Sequence, residues 1–365
     1  MVKVIALGML GMSFFGMLGL GGHRLLAGLM LHLEAPLITY ETSGEKQSLG
    51  NLIEQVVLKQ SPLYEYLSEK SYEQTSVESS FSYSLRMRGK EKRRKERIVA
   101  TEMPRQPSKS FRKAVVKKYG RRRLASYAYL VKHFYHVDAT TRLSPRLLRF
   151  SSLFSKDLRI SPGKGKPRIL IYHTHAHEEY RDTGQCKGKT VVDLGEELTT
   201  LLEKKYNMTV LHHKGVYDDN RNVAYSKALP NIERILKNNP SIEVVIDLHR
   251  DGIAPGTHLV TRWKGKKTAK IMFFNGVSYS KALGPITYLQ NPHLKDNLAF
   301  SMQMQLAADT FYPGLSRGVY IKGYRYNMHL AGRNLLVEVG AQNNTYPEAK
   351  RAMEPLADLL HRILQ

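Results

Sequence analysis

Two clusters of imidazoles and carboxylates, together with one glutamate in an apolar run, carry the chemistry of this sequence. His173-Thr174-His175-Ala176-His177-Glu178-Glu179 follows the apolar stretch at 168–172, and His249-Arg250-Asp251 follows another at 244–248. Glu338 lies inside a third, LLVEV at 335–339. Cys186 is the only cysteine, which excludes an intrachain disulfide and a thiolate metal cluster. Zinc held without cysteine takes three His or carboxylate ligands and keeps a fourth position for water. His175 and Glu178, spaced H-x-x-E, can close on one ion from a turn, and His249 can add the third ligand from a neighbouring strand end. Such an ion lowers the pKa of water from about 15.7 toward about 7 and makes it a nucleophile near neutrality. A carboxylate in an apolar strand is costly unless it has a task or a partner, so Glu338 is assigned as the general base that passes the water's proton to the leaving amine. Arg250 is expected to stabilise the oxyanion of the attacked carbonyl, and Asp247 or Asp251 to orient a ligand imidazole. Within the first cluster His173, His177 and Glu179 are alternatives, with His173 the first of them. His212, His213, His258, His293 and His329 have no comparable placement and are not expected to be ligands.

These residues need a scaffold that brings them to one edge. From 168 onward, short apolar runs alternate with amphipathic segments. Strands are expected at 168–172, 208–212, 244–248, 271–275 and 335–339, and helices at 191–206, 224–238, 296–311 and 346–364. Strands separated by helices of this length imply parallel pairing. The expected fold is α/β, an open and mostly parallel sheet flanked by helices, with function at the carboxyl ends of its strands. Asn275-Gly276 ends one of these strands and is expected at the same edge. The Gly/Pro segment PGKGKP at 162–167 reads as a boundary, so the catalytic domain is expected over 163–365.

Upstream, residues 4–22 contain no charged side chain, which is about one bilayer, and the segment 1–33 is expected to be a retained membrane anchor. Residues 34–162 read as a basic, partly helical stalk, with RMRGKEKRRKER at 86–97 and KKYGRRR at 117–123. The chain of 365 residues carries 56 Lys+Arg against 32 Asp+Glu, a net charge of +24, so polyanions are its natural partners. Aromatic interleaving in the basic runs is sparse and no recognition motif accompanies them, so no nucleic-acid partner is expected.

Four blocks in order, ILIYHTHAHEEY at 169–180, IDLHRDG at 246–252, FFNG at 273–276 and LLVEVGAQNN at 335–344, resemble the stage II sporulation protein P family. That family comprises peptidoglycan amidases and endopeptidases of the engulfment machinery in endospore-forming bacteria. The resemblance covers 168–364, and the N-terminal span with its divergent stalk is similar to the family's layout. It implies a fold shared with zinc N-acetylmuramoyl-L-alanine amidases, zinc as cofactor, and the ligand order His175, Glu178, His249 with Glu338 following. It also implies cleavage between muramic acid and L-alanine, with peptide cross-links as a further target. Peptidoglycan lies outside the membrane, so the catalytic domain is expected on the extracytoplasmic side, beside other membrane-anchored engulfment proteins. The stalk would then meet anionic wall polymers or lipid headgroups. The sequence departs from the family at His177, where a small or polar residue is more usual, and in the Lys/Arg content of the stalk. A membrane-tethered scaffold that binds glycan or protein through a degenerate site is the alternative from another functional class.

Overall fold

A computed structural model describes residues 108–161, 165–181 and 187–365. The anchor expected at 1–33 and the basic run at 86–97 lie outside the described residues. Among the described residues no helix is long and apolar enough to cross a membrane.

Helices α1 (Ser108–Tyr119), α2 (Arg121–Ala125) and α3 (Tyr127–Phe134) lead into β1 (Tyr135–Val137) and then α4 (Phe150–Ser155). Next come β2 (Ile169–Tyr172), α5 (Val191–Tyr206), β3 (Val210–His212), α6 (Ala224–Asn238) and β4 (Val244–Asp251). Strands β5 (Val260–Trp263), β6 (Lys266–Ala269), β7 (Ile271–Gly276), β8 (Tyr279–Ser280) and β9 (Gly284–Pro285) follow, and α7 (Leu294–Phe311), β10 (Ser316–Lys322), β11 (Arg333–Ala341) and α8 (Tyr346–Leu364) complete the order.

Seven strands form one sheet in the order β1-β10-β7-β11-β4-β2-β3. Every neighbouring pair is parallel except β7 with β11. The mostly parallel α/β sheet is therefore present, but β1, β10 and β7 run opposite to the rest. This corrects the expectation for Asn275-Gly276, which sit at the far edge from the ends of β2 and β4. The reason is the connection. A parallel return from β4 would need a helical crossover, whereas residues 252–270 make the hairpin β5–β6, so β7 starts from the edge where β4 stops. Lys264 (φ 49°) and Gly265 (φ 75°) both take the left-handed conformation that a two-residue hairpin turn requires.

A second correction concerns where the folded unit begins. Strand β1 pairs with β10, Tyr135 opposite Val319, and so extends the sheet from a segment expected to be stalk. Phe111 of α1 packs on Phe154 and Phe311 at centroid distances of 5.7 and 6.0 Å. The Gln303 side chain of α7 donates to the carbonyls of Leu153 and Lys156. The boundary thus falls upstream of 162. The basic character that suggested a stalk lies on the solvent side of these helices: Arg121, Arg122 and Arg123 are exposed while Leu124 is buried.

Side chains alternate across the sheet. Ile169, Ile171, Val244, Ile246, Leu248, Leu335 and Val337 join the core cluster that includes α5, α7 and α8. Leu170, Tyr172 and Val245 pack against Ala224, Ala228 and Ile232 of α6, and Leu336 packs with Tyr326 and Met328 on that same side. By the two-residue period of a strand, Asp247, His249 and Glu338 emerge on the α6 side.

Candidate metal centre

The centre forms where β2 gives way to a turn. Asp247 of β4 holds that turn: its Oδ1 accepts from the Thr174 amide at 2.9 Å, and its Oδ2 accepts from the Thr174 hydroxyl at 2.6 Å. Beyond this anchor, His175 and Glu178 fold back over the end of β4. His175 Nδ1 lies 3.2 Å from Glu178 Oε1, and His249 Nδ1 lies 3.4 Å from Glu178 Oε2. The two imidazoles meet edge to face at 5.0 Å. One donor atom from each of the three residues falls within 4.8 Å of the others, and all three side chains are buried. Two imidazole nitrogens and a carboxylate oxygen, converging out of water, form a donor set that fits a divalent metal ion.

The surroundings orient this set. His249 Nε2 stands 2.7 Å from Asp247 Oδ1, so Nδ1 is the nitrogen turned toward Glu178, in the carboxylate-behind-histidine arrangement typical of metal-ligating imidazoles. Glu178 is fixed from two further sides, accepting from the Arg250 amide at 2.9 Å and from Arg221 Nη2 at 2.7 Å. Burial alone would raise the Glu178 carboxyl pKa, but His249 and His175 outweigh it and hold the group well below the ordinary value. Burial pulls His249 down, and the carboxylates of Asp247 and Glu178 overcome this and hold it well above the usual imidazole value. His175 is lowered, by burial first, with Glu178 opposing.

Glu338 is buried and stands directly opposite His249 in the β11–β4 register, on the same face of the sheet. The Tyr180 hydroxyl donates to the carbonyl of Val339 at 2.8 Å, tying β11 to the His/Glu turn. Arg250 contributes its amide to Glu178, while its guanidinium donates to the carbonyls of Glu179 and Asp251. Of the two aspartates considered as orienting groups, Asp247 faces the imidazole. Asp251 pairs instead with the buried Arg317 at 2.6 Å.

The alternatives within the first cluster separate cleanly. Strand β2 ends at Tyr172, and His173 keeps the parity of Ile169 and Ile171, on the α5 side. There its Nδ1 bonds the Leu248 carbonyl at 2.8 Å and its Nε2 lies 2.9 Å from His212 Nε2. Gly195 of α5 makes room for this pair, since a Cβ there would come within 2.7 Å of His173 Nε2. Burial, against the opposing Leu248 hydrogen bond, lowers the His173 pKa to about 3. His177 is exposed and pairs with Asp218 at 2.9 Å, and Glu179 is exposed as well. His213 and His258 are engaged with Tyr217 and Glu348. Two residues at the centre were not foreseen, Arg221 against Glu178 and Tyr225, whose ring lies 5.7 Å from that of His175. No pattern marks them, because the turn before α6, with Arg221, and the first turn of α6, with Tyr225, reach the centre only through the fold.

The orienting role of Asp247 has a direct consequence. Asp247→Asn is expected to weaken metal binding about 10- to 100-fold, with the fold kept because the amide oxygen can still accept from Thr174. Competition against a metallochromic chelator measures this, and wild-type affinity in the variant would refute the role.

With this geometry in place, comparison with known proteins is informative. The family model described as stage II sporulation protein P matches residues 30–361. Stage II sporulation protein P of Bacillus subtilis (strain 168) is 27% identical over 224 residues, which are 53% of this chain and 50% of that protein. The chain thus spans about half the length of the curated relative it matches. Among solved structures, the N-acetylmuramoyl-L-alanine amidase AmiC2 of Nostoc punctiforme is similar at 12% identity and TM-score 0.34, over 55% of this chain and 96% of that one. The N-acetylmuramoyl-L-alanine amidase from Clostridium difficile 630 is similar at 14% identity and TM-score 0.33, over 54% and 94% respectively.

Proposed function

Because this chain belongs to the stage II sporulation protein P family, we propose that it is a cell-wall hydrolase of sporulation that cleaves amide bonds in peptidoglycan. The bond proposed is the one between N-acetylmuramic acid and L-alanine, with peptide cross-links as a second target. The observation that carries the reading is the buried meeting of His175, Glu178 and His249 with Glu338 in register beside them.

Zinc is the proposed metal, with His175, Glu178 and His249 as its ligands; when bound it supplies acidification of a water and polarisation of the scissile carbonyl. The chain's own residues do the rest. Glu338 takes the proton of the attacking water and returns it to the leaving amine. Arg250, half-exposed at the rim, meets the negative charge that develops on the carbonyl oxygen. Asp247 keeps His249 in one orientation, and Arg221 with the Arg250 amide keeps Glu178 in another. Residues 1–33 are proposed to anchor the chain with its hydrolytic domain outside the membrane, near other membrane-anchored engulfment proteins. The basic segment upstream would face anionic wall polymers or lipid headgroups.

The test is digestion of purified sacculi by the full-length, zinc-loaded chain, with mass spectrometry of the soluble fragments. Free muramic-acid ends and new L-alanine amino termini are expected, and EDTA should stop their release. Fragments with only cut cross-links would reassign the bond. A chain that binds no metal and releases nothing would instead support the scaffold reading.

A further inference from the structure

Two of the three proposed ligands are joined by a link of two residues, and the middle of that link is held from outside. His175 and Glu178 are separated by Ala176 and His177, so the placement of one donor relative to the other depends on how the Ala176–His177 peptide lies. Asp218 grips that peptide. The His177 amide donates to Asp218 Oδ2 at 3.0 Å, and His177 Nδ1 lies 2.9 Å from Asp218 Oδ1. The Asp218 side chain is 2% exposed, whereas the His177 ring is 62% exposed. A carboxylate withdrawn from water is costly unless it is hydrogen-bonded, and a backbone amide on a charged oxygen is among its stronger partners. An ion pair whose imidazole stands mostly in water adds little, so the amide bond is the part that fixes geometry.

Asp218 itself stands on a braced support, between β3 and the turn Arg221–Val223 that precedes α6. Its neighbour Tyr217 is buried among Leu170, Tyr172, Ala224 and Ile232. The Asn220 side chain accepts from the Asn222 amide at 3.1 Å and closes the turn. Three residues after Asp218, Arg221 reaches Glu178 Oε1 at 2.7 Å. One short stretch thus meets the ligand turn twice, at the backbone between the ligands and at the carboxylate of the second. Asp247 holds the start of the turn at Thr174, and the Val191 amide holds the Glu178 carbonyl at 3.0 Å. We propose that Asp218 is a positioning residue of the metal centre, which sets the separation of the His175 and Glu178 donors by fixing the Ala176–His177 peptide. Such donors must stand within about 0.5 Å of their places, and an unpinned two-residue link would let them drift. Any residue except proline supplies the amide, so the side chain at 177 can vary. The role rests on the reading of His175, Glu178 and His249 as metal ligands and is independent of which bond is cleaved.

The experiment uses the full-length chain with cobalt(II), whose visible absorption reports ligand geometry, and with zinc in competition against a chelator. Asp218→Ala should weaken the affinity for both ions about 10- to 100-fold and alter the cobalt bands, with the near-ultraviolet circular dichroism unchanged. Asp218→Asn keeps an oxygen that accepts from the His177 amide, so it should recover most of the affinity. His177→Ser keeps the amide and should bind as the wild type does. Wild-type affinity and cobalt bands in Asp218→Ala, with only the melting temperature of the metal-free chain lowered, would mark a merely structural residue and overturn the proposal. A loss in His177→Ser as large as in Asp218→Ala also overturns it, by placing the effect in the ring, and an equal loss in Asp218→Asn does so by placing it in the charge. Should Asp218→Ala fail to fold, the isosteric Asp218→Asn and the change at the exposed His177 ring still decide. A wild-type chain that takes up neither ion sinks the metal centre and this role together, whereas wild-type affinity in a folded Asp218→Ala chain sinks the role alone.

Discussion

Glu338→Gln is expected to reduce sacculus hydrolysis about 10²- to 10⁴-fold while leaving bound metal and fold as they are. The size follows from the role, because a positioned general acid–base is worth that factor. The selectivity follows from the place. Glu338 lies in the apolar strand β11 between β4 and β7, buried, with His249 opposite it. Glutamine matches the carboxylate in shape and can still hydrogen-bond, but it cannot accept and return a proton. Its neutrality also removes a buried charge, so the variant should melt no lower than the wild type. Steady-state rates on solubilised wall, alongside metal analysis, read out both halves. A rate within tenfold of the wild type, metal retained, would remove Glu338 from the base position.

His249→Ala is expected to act on a different quantity. Metal content should fall from about one ion per chain to near zero, and hydrolysis with it, because one of three converging donors is gone. The same substitution strips the buried carboxylates of Asp247 and Glu178 of the imidazole that lies 2.7 Å from one and 3.4 Å from the other. Removing one partner of a buried ionic cluster costs about 3–5 kcal/mol, so the metal-free variant should also unfold at lower urea. Since an unfolded chain would lose metal trivially, the measurement pairs elemental analysis with near-ultraviolet circular dichroism on the same sample. Full metal occupancy in a folded His249→Ala protein would exclude this nitrogen as a ligand.

Much of the centre was legible before any fold was known, for a chemical reason. With Cys186 as the only cysteine no thiolate cluster can form, so histidine and carboxylates beyond apolar runs were the remaining donors, and His175, Glu178 and His249 do converge. The helices at 224–238 and 346–364 were legible for a periodic reason, since each buries one apolar stripe: Ala224, Ala228 and Ile232 in the first, Leu356, Leu359, Leu360 and Ile363 in the second. Strand β10, SRGVYIK, was missed because it opens on polar residues, yet all seven of its positions are buried between β1 and β7. Strand β1 was missed because three residues among basic neighbours carry too little pattern to read. His173 could not be told from His175 by spacing, because the choice depends on where β2 stops: one residue past Tyr172 still points to α5, and two residues further the turn has swung to α6.

The sequence by itself determined which side chains could hold a metal and where most of the strands and helices beyond residue 168 would lie. Both are properties of neighbouring residues, set by donor type and by hydrophobic period. The tertiary structure alone decided that β7 runs against β11, that Tyr135–Val137 extend the sheet, and that Arg221 and Tyr225 border the cluster of His175, Glu178 and His249. Those depend on how a hairpin or a loop returns the chain, and on which face of the sheet each helix covers. The aspartate that orients His249 was decided in the same way: Asp247 and Asp251 are both carboxylates on β4, and only packing sends one to the imidazole and the other to Arg317.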